Sequence, residues 1–255
     1  VIPTAVEYYC PAKAKEVTKP QKPVIKQCYE LLDSTVKAVD VYTSLEKRVK
    51  EPIYLRTDHH WSPTGGFYAA EKFAKVARTD FKPIAAYERK VIHRYVGSMY
   101  GYSQDASIKG APEDFVYYIP KDVAFTTTYI NYKLRKQTVV GEEPPARGSF
   151  FFPLKDGDVN AYCTFMGGDA KITKVKTGIK NGRRLAILKD SFGNTLPGYL
   201  FYSFEEVHVL DHRYFTPNLV EYVKQNQITD FLIAQNIFNA SNATVAKNCL
   251  GLLKQ

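Results

Sequence analysis

The pattern of apolar and polar positions is most regular in the last third of the chain. Three short apolar runs, at 185–188, 207–210 and 230–234, have the length and composition of buried strands. The helices predicted to follow these strands end at about residue 204 and cover 218–225 and 242–253. Strands that alternate with helices indicate βαβ units on a parallel sheet, with ligands bound near the carboxyl ends of the strands.

The first third of the chain predicts shorter elements of both kinds. Its predicted strands cover residues 1–6, 39–42 and 53–55, and its predicted helices cover 24–36, 44–50 and 64–76. The last of these helices has the clearest start. Ser62 can cap its first turn, and Pro63 is tolerated there because the first helical N–H groups have no partner within the helix.

The middle of the chain, residues 81–159, has no regular period. It is rich in β-branched and aromatic residues and is broken repeatedly by glycine and proline. We interpret it as an irregular, β-containing insertion in one α/β domain that spans residues 1–255. Such an insertion can be a substrate-facing lid or platform, or an ordinary structural excursion, and the sequence leaves both open.

Composition is that of a soluble globular protein with a basic surface. The 255 residues are 45% hydrophobic, enough for one substantial core or two modest ones, and the net charge is +9. The densest basic run contains few aromatic residues and matches no nucleic-acid motif, so we expect a solvated face and no nucleic-acid partner. Its members are Lys171, Lys174, Lys176, Lys180, Arg183, Arg184 and Lys189.

The cysteines and the chain start bear on the cellular compartment. No CxxC pair is present, which argues against a cysteine zinc site, whereas an even number of cysteines permits two disulfides in three connectivities. The four cysteines are Cys10, Cys28, Cys163 and Cys249. No apolar run approaches the ~20 residues of a membrane span. The chain opens abruptly at Val1, so we expect an N-terminal anchor or signal to precede it in the full-length protein.

Ser191 occupies a position typical of a nucleophile. A buried strand leads into Asp190 and Ser191, a tight turn follows, and a helix is predicted directly after it. This arrangement exposes the hydroxyl at the carboxyl end of the strand and directs free backbone N–H groups at the same place. Acyl transfer needs both a nucleophile and donors for the oxyanion. The alternative is that Ser191 only caps the helix.

A second polar cluster follows the short strand at 53–55. Asp58 and His60 are two residues apart, so in an extended loop both side chains point the same way and the carboxylate can orient the imidazole. His60 could then remove the serine proton. Two alternatives remain at this level: a zinc site made by Asp58, His59 and His60, and a structural turn.

These segments together resemble the DHHW family of SGNH-hydrolase-like proteins, which is related to the alginate O-acetyltransferase-type enzymes. The motifs that carry the resemblance are Asp58-His59-His60-Trp61, Gly167-Gly168-Asp169 and Lys189-Asp190-Ser191-Phe192-Gly193-Asn194. The resemblance covers most of the chain, and it is the combination of motifs in this order that is specific. It also includes Arg56-Thr57, Phe165-Met166 and residues 210–215.

The resemblance implies an SGNH-type αβα sandwich with a mostly parallel central sheet. Ser191 would be the nucleophile, with His60 and Asp58 as its partners, and the Asp–His pair would precede the serine as in the acetyltransferase-like branch. Members of this branch usually work outside the cytoplasmic membrane on an exopolysaccharide or wall polymer. A membrane-bound O-acyltransferase often supplies the acyl group, and neither a cofactor nor a metal is expected.

The same segments contain candidate contacts for the oxyanion and for the substrate. The expected oxyanion donors are the backbone N–H of Ser191, a backbone N–H near Gly168 and the side-chain amide of Asn236, although a turn and a loop cap explain the last two equally well. The expected substrate contacts are Trp61, Arg213 and Asn194. For Arg213, an ion pair with Asp211 is an equally good interpretation.

Four functions are compatible with these residues. The leading hypothesis is O-acetyl transfer to an extracellular polysaccharide through an acetyl-serine intermediate, and the second is hydrolysis of carbohydrate acetate esters by the same residues. The two differ in how well the site excludes water from the acyl-enzyme. A non-catalytic polysaccharide-binding or scaffold protein and a metal hydrolase are the remaining possibilities.

Overall fold

The structure, a computed structural model, describes residues 1–136 and 138–254. Its strands are β1 (Tyr87–Tyr95), β2 (Glu113–Pro120), β3 (Phe125–Ile130), β4 (Tyr132–Arg135), β5 (Thr138–Glu142), β6 (Ala146–Gly148), β7 (Ile172–Thr177), β8 (Arg184–Lys189), β9 (Glu206–Asp211) and β10 (Asp230–Ala234). Its α-helices are α1 (Ala5–Tyr9), α2 (Ala12–Lys15), α3 (Lys22–Glu30), α4 (Val41–Glu46), α5 (Pro63–Ala77), α6 (Ser98–Ser103), α7 (Ala106–Lys109), α8 (Leu219–Gln225), α9 (Ile237–Ala240) and α10 (Ala243–Gly251). Short 3-10 helices cover Ile84–Ala86, Ala161–Thr164, Ser191–Thr195 and Pro197–Leu200.

A six-stranded sheet in the order β10-β8-β9-β7-β3-β6 forms the centre of the molecule. β10, β8 and β9 are parallel, as the βαβ pattern predicts, and the α/β class is confirmed. The expectation of a mostly parallel sheet is corrected for the other half, because β7, β3 and β6 add to β9 in antiparallel pairs. The sheet is therefore mixed. Its parallel half carries the strand ends from which the site is built.

Helices cover both faces of the parallel half of the sheet. Alternate side chains of a strand point to opposite faces, and here both faces are buried in a hydrophobic core. Leu185 and Ile187 of β8 belong to the large core that α5 packs against. Ala186 and Leu188 point to a smaller core on the other face, which includes Leu219 and Tyr222 of α8. A strand buried on both faces has to be apolar throughout, and this explains the continuous apolar run seen in the sequence.

The segment 81–159 contributes to the sheet as well as to two separate hairpins. β1 and β2 pair as an antiparallel hairpin, and β4 and β5 form another. β3 and β6 join the central sheet beside β7. The first hairpin lies against the loop that follows residue 55, and so it takes part in building the candidate site.

Several predicted elements differ from the observed ones for local reasons. Residues 39–42 are not a strand, because Asp40 caps α4 by accepting the N–H of Thr43 at 3.0 Å. Residues 1–6 and 53–55 make only single bridges, at Ile2 and Tyr54. The helix expected to end near residue 204 is split into two 3-10 turns. Its sequence contains Pro197, which cannot donate a backbone hydrogen bond.

The expectation that the basic run is a solvated face is correct for only some of its residues. The side chains of Lys171 and Lys189 are only 1% exposed, and both make ion pairs. Lys176, in contrast, is 74% exposed. All four cysteines are free thiols in the structure. In the described part of the chain, no helix has the length and apolar character needed to cross a membrane.

Candidate active site

Ser191 is placed at the edge of the sheet by a buried strand and a capped turn. β8 ends at Lys189, and the Asp190 carboxylate then accepts the backbone N–H of Phe192 at 3.0 Å, which caps the 3-10 helix that Ser191 opens. A Cβ at Gly193 would lie 2.4 Å from the Lys189 Cβ, so only glycine fits in this turn. Ser191 is half-buried, whereas the residues on either side of it are buried.

The segment that carries Asp58 and His60 folds back on itself before α5. Tyr54 and Trp61 pair in an antiparallel bridge, so the intervening residues form a closed loop. Ser62 caps α5 as predicted, with its Oγ accepting a backbone N–H of the first helical turn at 3.2 Å. The loop is thus tied at both ends, and this restricts the positions that Asp58 and His60 can take.

Glu113, on β2, holds the same loop from outside. Its carboxylate accepts the backbone N–H groups of Arg56 at 2.9 Å and Thr57 at 2.7 Å, and the hydroxyl of Thr57 at 2.7 Å. Hydrogen bonds to a charged acceptor are among the stronger ones in proteins. The first hairpin of the 81–159 segment therefore orients the loop.

The structure brings Asp58, His60 and Ser191 together in one hydrogen-bonded chain. His60 Nδ1 lies 2.7 Å from Asp58 Oδ1, and His60 Nε2 lies 2.8 Å from Ser191 Oγ. Both distances are those of good hydrogen bonds. When His60 Nδ1–H donates its hydrogen bond to Asp58, Nε2 carries no proton. Nε2 then faces the serine hydroxyl and can accept the proton of that hydroxyl.

Asp58 is buried but fully supplied with donors. Besides the ring of His60, it accepts the backbone N–H of His60 at 2.9 Å, the hydroxyl of Tyr95 at 2.8 Å and the backbone N–H of Ser98 at 2.9 Å. Burial alone raises the pKa of Asp58, but the hydrogen bonds and charge of His60 and the N–H of Ser98 outweigh it and hold this pKa well below its ordinary range. The carboxylate is therefore ionised at neutral pH.

Aromatic rings hold the His60 imidazole on both of its faces. Tyr162 stacks on it with ring centroids 3.9 Å apart and planes within 8°, and His59 lies 3.8 Å away by the same measure. The ring centroid of Phe192 lies 5.0 Å from that of His60. Packing of this kind fixes the ring orientation, so the hydrogen bonds to Asp58 and Ser191 do not have to do so alone.

Asn236 supports the turn that carries Ser191 through hydrogen bonds to Asp190. Its backbone N–H and its Nδ2 both donate to Asp190 Oδ2 at 2.7 Å, and Asn239 Nδ2 donates to the same oxygen at 2.8 Å. The Asn236 Oδ1 caps α9. Of the two interpretations weighed from the sequence, the structure shows the cap. One of the two amide hydrogens is thus used by Asp190, and the oxyanion role of the other stays a prediction.

The other expected oxyanion donors differ from each other. The N–H of Gly168 donates to the carbonyl of Phe165 at 3.2 Å in a turn with φ of 112°, so it is not available to an oxyanion in this conformation. Ser191 opens its 3-10 helix, and its backbone N–H has no acceptor among residues 1–136 and 138–254. The backbone N–H of Ser191 is thus free to donate, and its role at the oxyanion stays a prediction.

The three expected substrate contacts are largely internal. Trp61 is fully buried, and its indole donates to the carbonyl of Phe192 at 2.8 Å. Asn194 is 2% exposed and donates to Asp169 at 3.0 Å. Neither side chain reaches the surface. The expectation that they contact the substrate directly is therefore corrected, because both are buried within the protein. Arg213 makes the ion pair weighed as its alternative, bonding Asp211 through Nε at 2.8 Å.

A buried charge cluster lies behind the serine turn. Lys189 Nζ bonds Asp211 at 2.6 Å and Asp169 at 2.9 Å, and Arg213 pairs with both carboxylates. Burial alone would raise the pKa of each aspartate, but the two cations outweigh it and lower both. Two positive and two negative charges balance here, so the cluster can join the ends of β8 and β9 without an unpaired buried charge.

The alternative of a metal site can be compared with the positions of Asp58, His59 and His60. One potential ligand atom from each of Asp58, His59 and His60 lies within 4.8 Å of the others, so the three could hold an ion. However, both ring nitrogens of His60 already have partners, Asp58 and Ser191. The geometry of a base between a carboxylate and a hydroxyl is complete without a metal.

Tyr95, Ser98, Glu113 and Tyr162 support the site but were not identified from the sequence. They come from the 81–159 segment and from the 3-10 helix at 161–164, far along the chain from the loop they contact. No local periodicity marks a tyrosine as a partner of a distant aspartate. A weak signal was available for Glu113, a charged residue two positions before the apolar run at 115–119.

The fold is an SGNH-hydrolase-like αβα sandwich, in which Ser191 follows β8 by one intervening residue and is hydrogen-bonded to the His60–Asp58 pair. The sequence model described as "DHHW protein" matches residues 1–210. The chain therefore belongs to the DHHW family.

Several solved structures are similar to the chain. The crystal structure of a DHHW family protein from Eubacterium siraeum DSM 15702 is 37% identical, with a TM-score of 0.88 over 100% of this chain and 82% of that one. Two structures of Bacillus cereus PatB1, one with a sulfonyl adduct, are 17% identical, with a TM-score of 0.73 over 96% and 83%. The O-acetyltransferase domain of Pseudomonas putida AlgJ is 12% identical, with a TM-score of 0.48 over 100% and 81%. Among curated protein sequences, none matches the chain.

Proposed function

We propose that the protein is a serine O-acetyltransferase that acts on a polysaccharide through an acetyl-serine intermediate. The observation that carries this proposal is the chain of hydrogen bonds from Asp58 through His60 to Ser191. Three side chains from two separate segments meet in the order carboxylate, imidazole and hydroxyl, which is the order that activates a serine. Membership in the DHHW family supports acetyl as the group transferred.

In the first half of the reaction, Ser191 takes the acetyl group. His60 Nε2 removes the hydroxyl proton as Oγ attacks the carbonyl carbon of the acetyl donor. The tetrahedral intermediate collapses, the bond to the donor oxygen breaks, and His60 returns the proton to that leaving oxygen. Ser191 now carries the acetyl ester, and His60 is neutral again.

In the second half, an acceptor hydroxyl repeats these steps in reverse. His60 removes the proton of a sugar hydroxyl, whose oxygen attacks the acetyl carbon on Ser191. The bond to Ser191 Oγ breaks, and Oγ regains its proton from His60. If water replaces the sugar, the same steps release acetate, and the protein is an esterase.

Charge development at each step has a counterpart in the site. The ionised Asp58 stabilises the imidazolium that His60 becomes, and its four hydrogen bonds keep it ionised while buried. In this proposal the free N–H of Ser191 donates to the oxyanion of the tetrahedral intermediate. Removal of one such donor typically costs about a hundred- to a thousandfold in rate.

We also propose that the reaction takes place outside the cytoplasmic membrane. The family resemblance supports a location at the cell surface or in the periplasm and an N-terminal anchor in the full-length protein. It further supports a membrane-bound O-acyltransferase as the supplier of the acetyl donor. Pull-down of such a protein from membranes with the full-length chain would test this partnership.

The deciding experiment compares hydrolysis of 4-nitrophenyl acetate by the wild-type protein, Ser191→Ala and His60→Ala. We expect both variants to lose activity by about four orders of magnitude or more, as serine triads do. Matched controls are Ser34→Ala and His93→Ala, which change an exposed serine and a histidine 57% exposed. Both should retain wild-type rates.

Two additions separate the remaining functions. An oligosaccharide acceptor is included, and acetylated sugar in the products identifies a transferase, whereas acetate alone identifies an esterase. A chelator is added in parallel, because a metal site at Asp58, His59 and His60 would lose activity with it. Full activity in Ser191→Ala, or loss of wild-type activity with the chelator, would overturn the serine mechanism.

A further inference from the structure

We propose that the exposed face of α6, formed by Met99 and Tyr102, is the binding subsite for the acceptor sugar, with Tyr102 stacking on a pyranose ring. This inference rests on the proposed function, since it names where the acceptor of that reaction binds. Nothing in the sequence motifs points to α6, which lies in the irregular segment between β1 and β2.

The packing around His60 restricts the direction from which an acceptor can approach. Two of its ring neighbours are closed to solvent, Tyr162 being 7% exposed and Phe192 3% exposed. The third neighbour, His59, has 37% of its side chain exposed. Of these three rings, His59 is therefore the most exposed, and an acceptor bound on its side would lie next to the catalytic base.

Tyr102 lies beside His59. Its ring centroid is 6.0 Å from that of His59, at an angle of 64°, and Tyr102 is 79% exposed. Met99 of the same helix is 39% exposed. A tyrosine ring offers a flat apolar face and a polar tip, and this combination suits the CH face and hydroxyl groups of a sugar.

α6 is held rigidly to the loop that carries the catalytic residues. The backbone N–H of Ser98 donates to Asp58 at 2.9 Å, and that of Met99 donates to the carbonyl of Thr57 at 3.0 Å. Ser98 Oγ lies 2.5 Å from His59 Nδ1. A sugar stacked on Tyr102 is thus positioned relative to the base itself, which is what binding must achieve to favour transfer over hydrolysis.

Exposure alone does not distinguish a subsite from an ordinary surface side chain, but Leu31 provides a comparison. It is also 79% exposed, but it lies at the end of α3 and has no aromatic ring. Tyr102 is equally exposed, but it has an aromatic ring and its ring is a direct neighbour of that of His59. Leu31 is therefore a matched control.

The test measures binding in a protein that cannot turn over. Ser191→Ala is titrated calorimetrically with an N-acetylglucosamine hexasaccharide, cellohexaose and an oligouronate. We expect at least one to bind, Tyr102→Ala in the same background to weaken it about tenfold, and Tyr102→Phe to bind within about twofold of the parent. Leu31→Ala should leave binding unchanged. Thermal unfolding of each variant checks the fold.

Failure of this inference is distinguishable from failure of the proposed function. Absence of binding by all three saccharides, or equal binding by Tyr102→Ala and its parent, overturns the subsite. Neither result depends on acyl chemistry, because the nucleophile is absent. The proposed function is tested separately by ester cleavage in the wild-type protein and in Ser191→Ala.

Discussion

The hydroxyl of Tyr95 donates a hydrogen bond of 2.8 Å to Asp58 Oδ2, the carboxylate oxygen that does not face His60. β1 thereby contacts the catalytic loop directly, from 37 residues along the chain. The pKa of Tyr95 is raised by burial and by the charge of Asp58, so the phenol keeps its proton and remains a donor. The support of the carboxylate is therefore as much a product of the β1–β2 hairpin as of the loop itself.

Tyr95→Phe should slow the enzyme without removing any reacting group. The variant deletes one of four hydrogen bonds to a buried carboxylate, and a hydrogen bond to a charged group contributes about 1.5–3 kcal/mol. If about half of that loss reaches the transition state, kcat/KM falls about tenfold. Ester hydrolysis and urea unfolding measure the two effects.

Tyr87→Phe is the matched control for this change. Tyr87 is equally buried at 3% exposure, but its hydroxyl donates to the neutral carbonyl of Tyr199 at 2.9 Å. We expect a stability loss of about 1 kcal/mol and an unchanged rate. Equal rates for Tyr95→Phe and the wild-type protein would show that Asp58 does not need this donor.

Gly97→Ala should disturb the site through contact alone. A Cβ at Gly97 would lie 2.5 Å from the Asp58 Cβ and 2.6 Å from its Oδ2, so the carboxylate must move. Displacement by about 1 Å at a catalytic group can cost about a hundredfold in rate, and we expect kcat to fall by that order. Steady-state kinetics at saturating ester measure it.

Gly101→Ala provides the comparison within the same region. A Cβ at Gly101 has no heavy atom within 4 Å, and this position lies inside α6. Alanine is the better helix former by roughly 0.5–1 kcal/mol, so stability should rise slightly with no change in rate. If both glycine variants had the same activity, crowding of Asp58 would not be the cause.

Lys189→Met should destabilise the protein more than any surface change. Lys189 is 1% exposed and neutralises Asp169 and Asp211, and breaking a buried pair typically costs about 3–5 kcal/mol. Lys176→Met, at a side chain that is 74% exposed, should stay within about 0.5 kcal/mol of the wild type. Urea unfolding of both variants decides whether the cluster holds the ends of β8 and β9.

Acid should destabilise the protein steeply below about pH 4. The pKa values of Asp58, Asp169 and Asp211 are lowered in the folded state, so the unfolded chain binds protons first as pH falls through about 3.9. Their contribution to stability is complete above that pH and is lost below it. Urea midpoints between pH 6 and pH 3 should show this decline, and Asp169→Asn should make it shallower. An identical pH dependence in this variant would contradict the assignment.

The sequence by itself determined those features that depend on neighbouring residues. The buried strand before Ser191 and the cap at Ser62 are set within a few positions along the chain. The same holds for the two-residue spacing that lets Asp58 bond His60. Local patterns act through local sterics and hydrogen bonds, so the α/β class could be read from them.

Only the tertiary structure decided which of these segments meet. Ser191 and His60 are 131 residues apart, and their contact depends on the packing of a loop against a sheet edge. The same packing buried Trp61, committed Asn236 to Asp190 and placed an exposed Tyr102 beside His59. Burial and long-range pairing depend on the whole chain at once, because a side chain is enclosed only when distant segments fold over it.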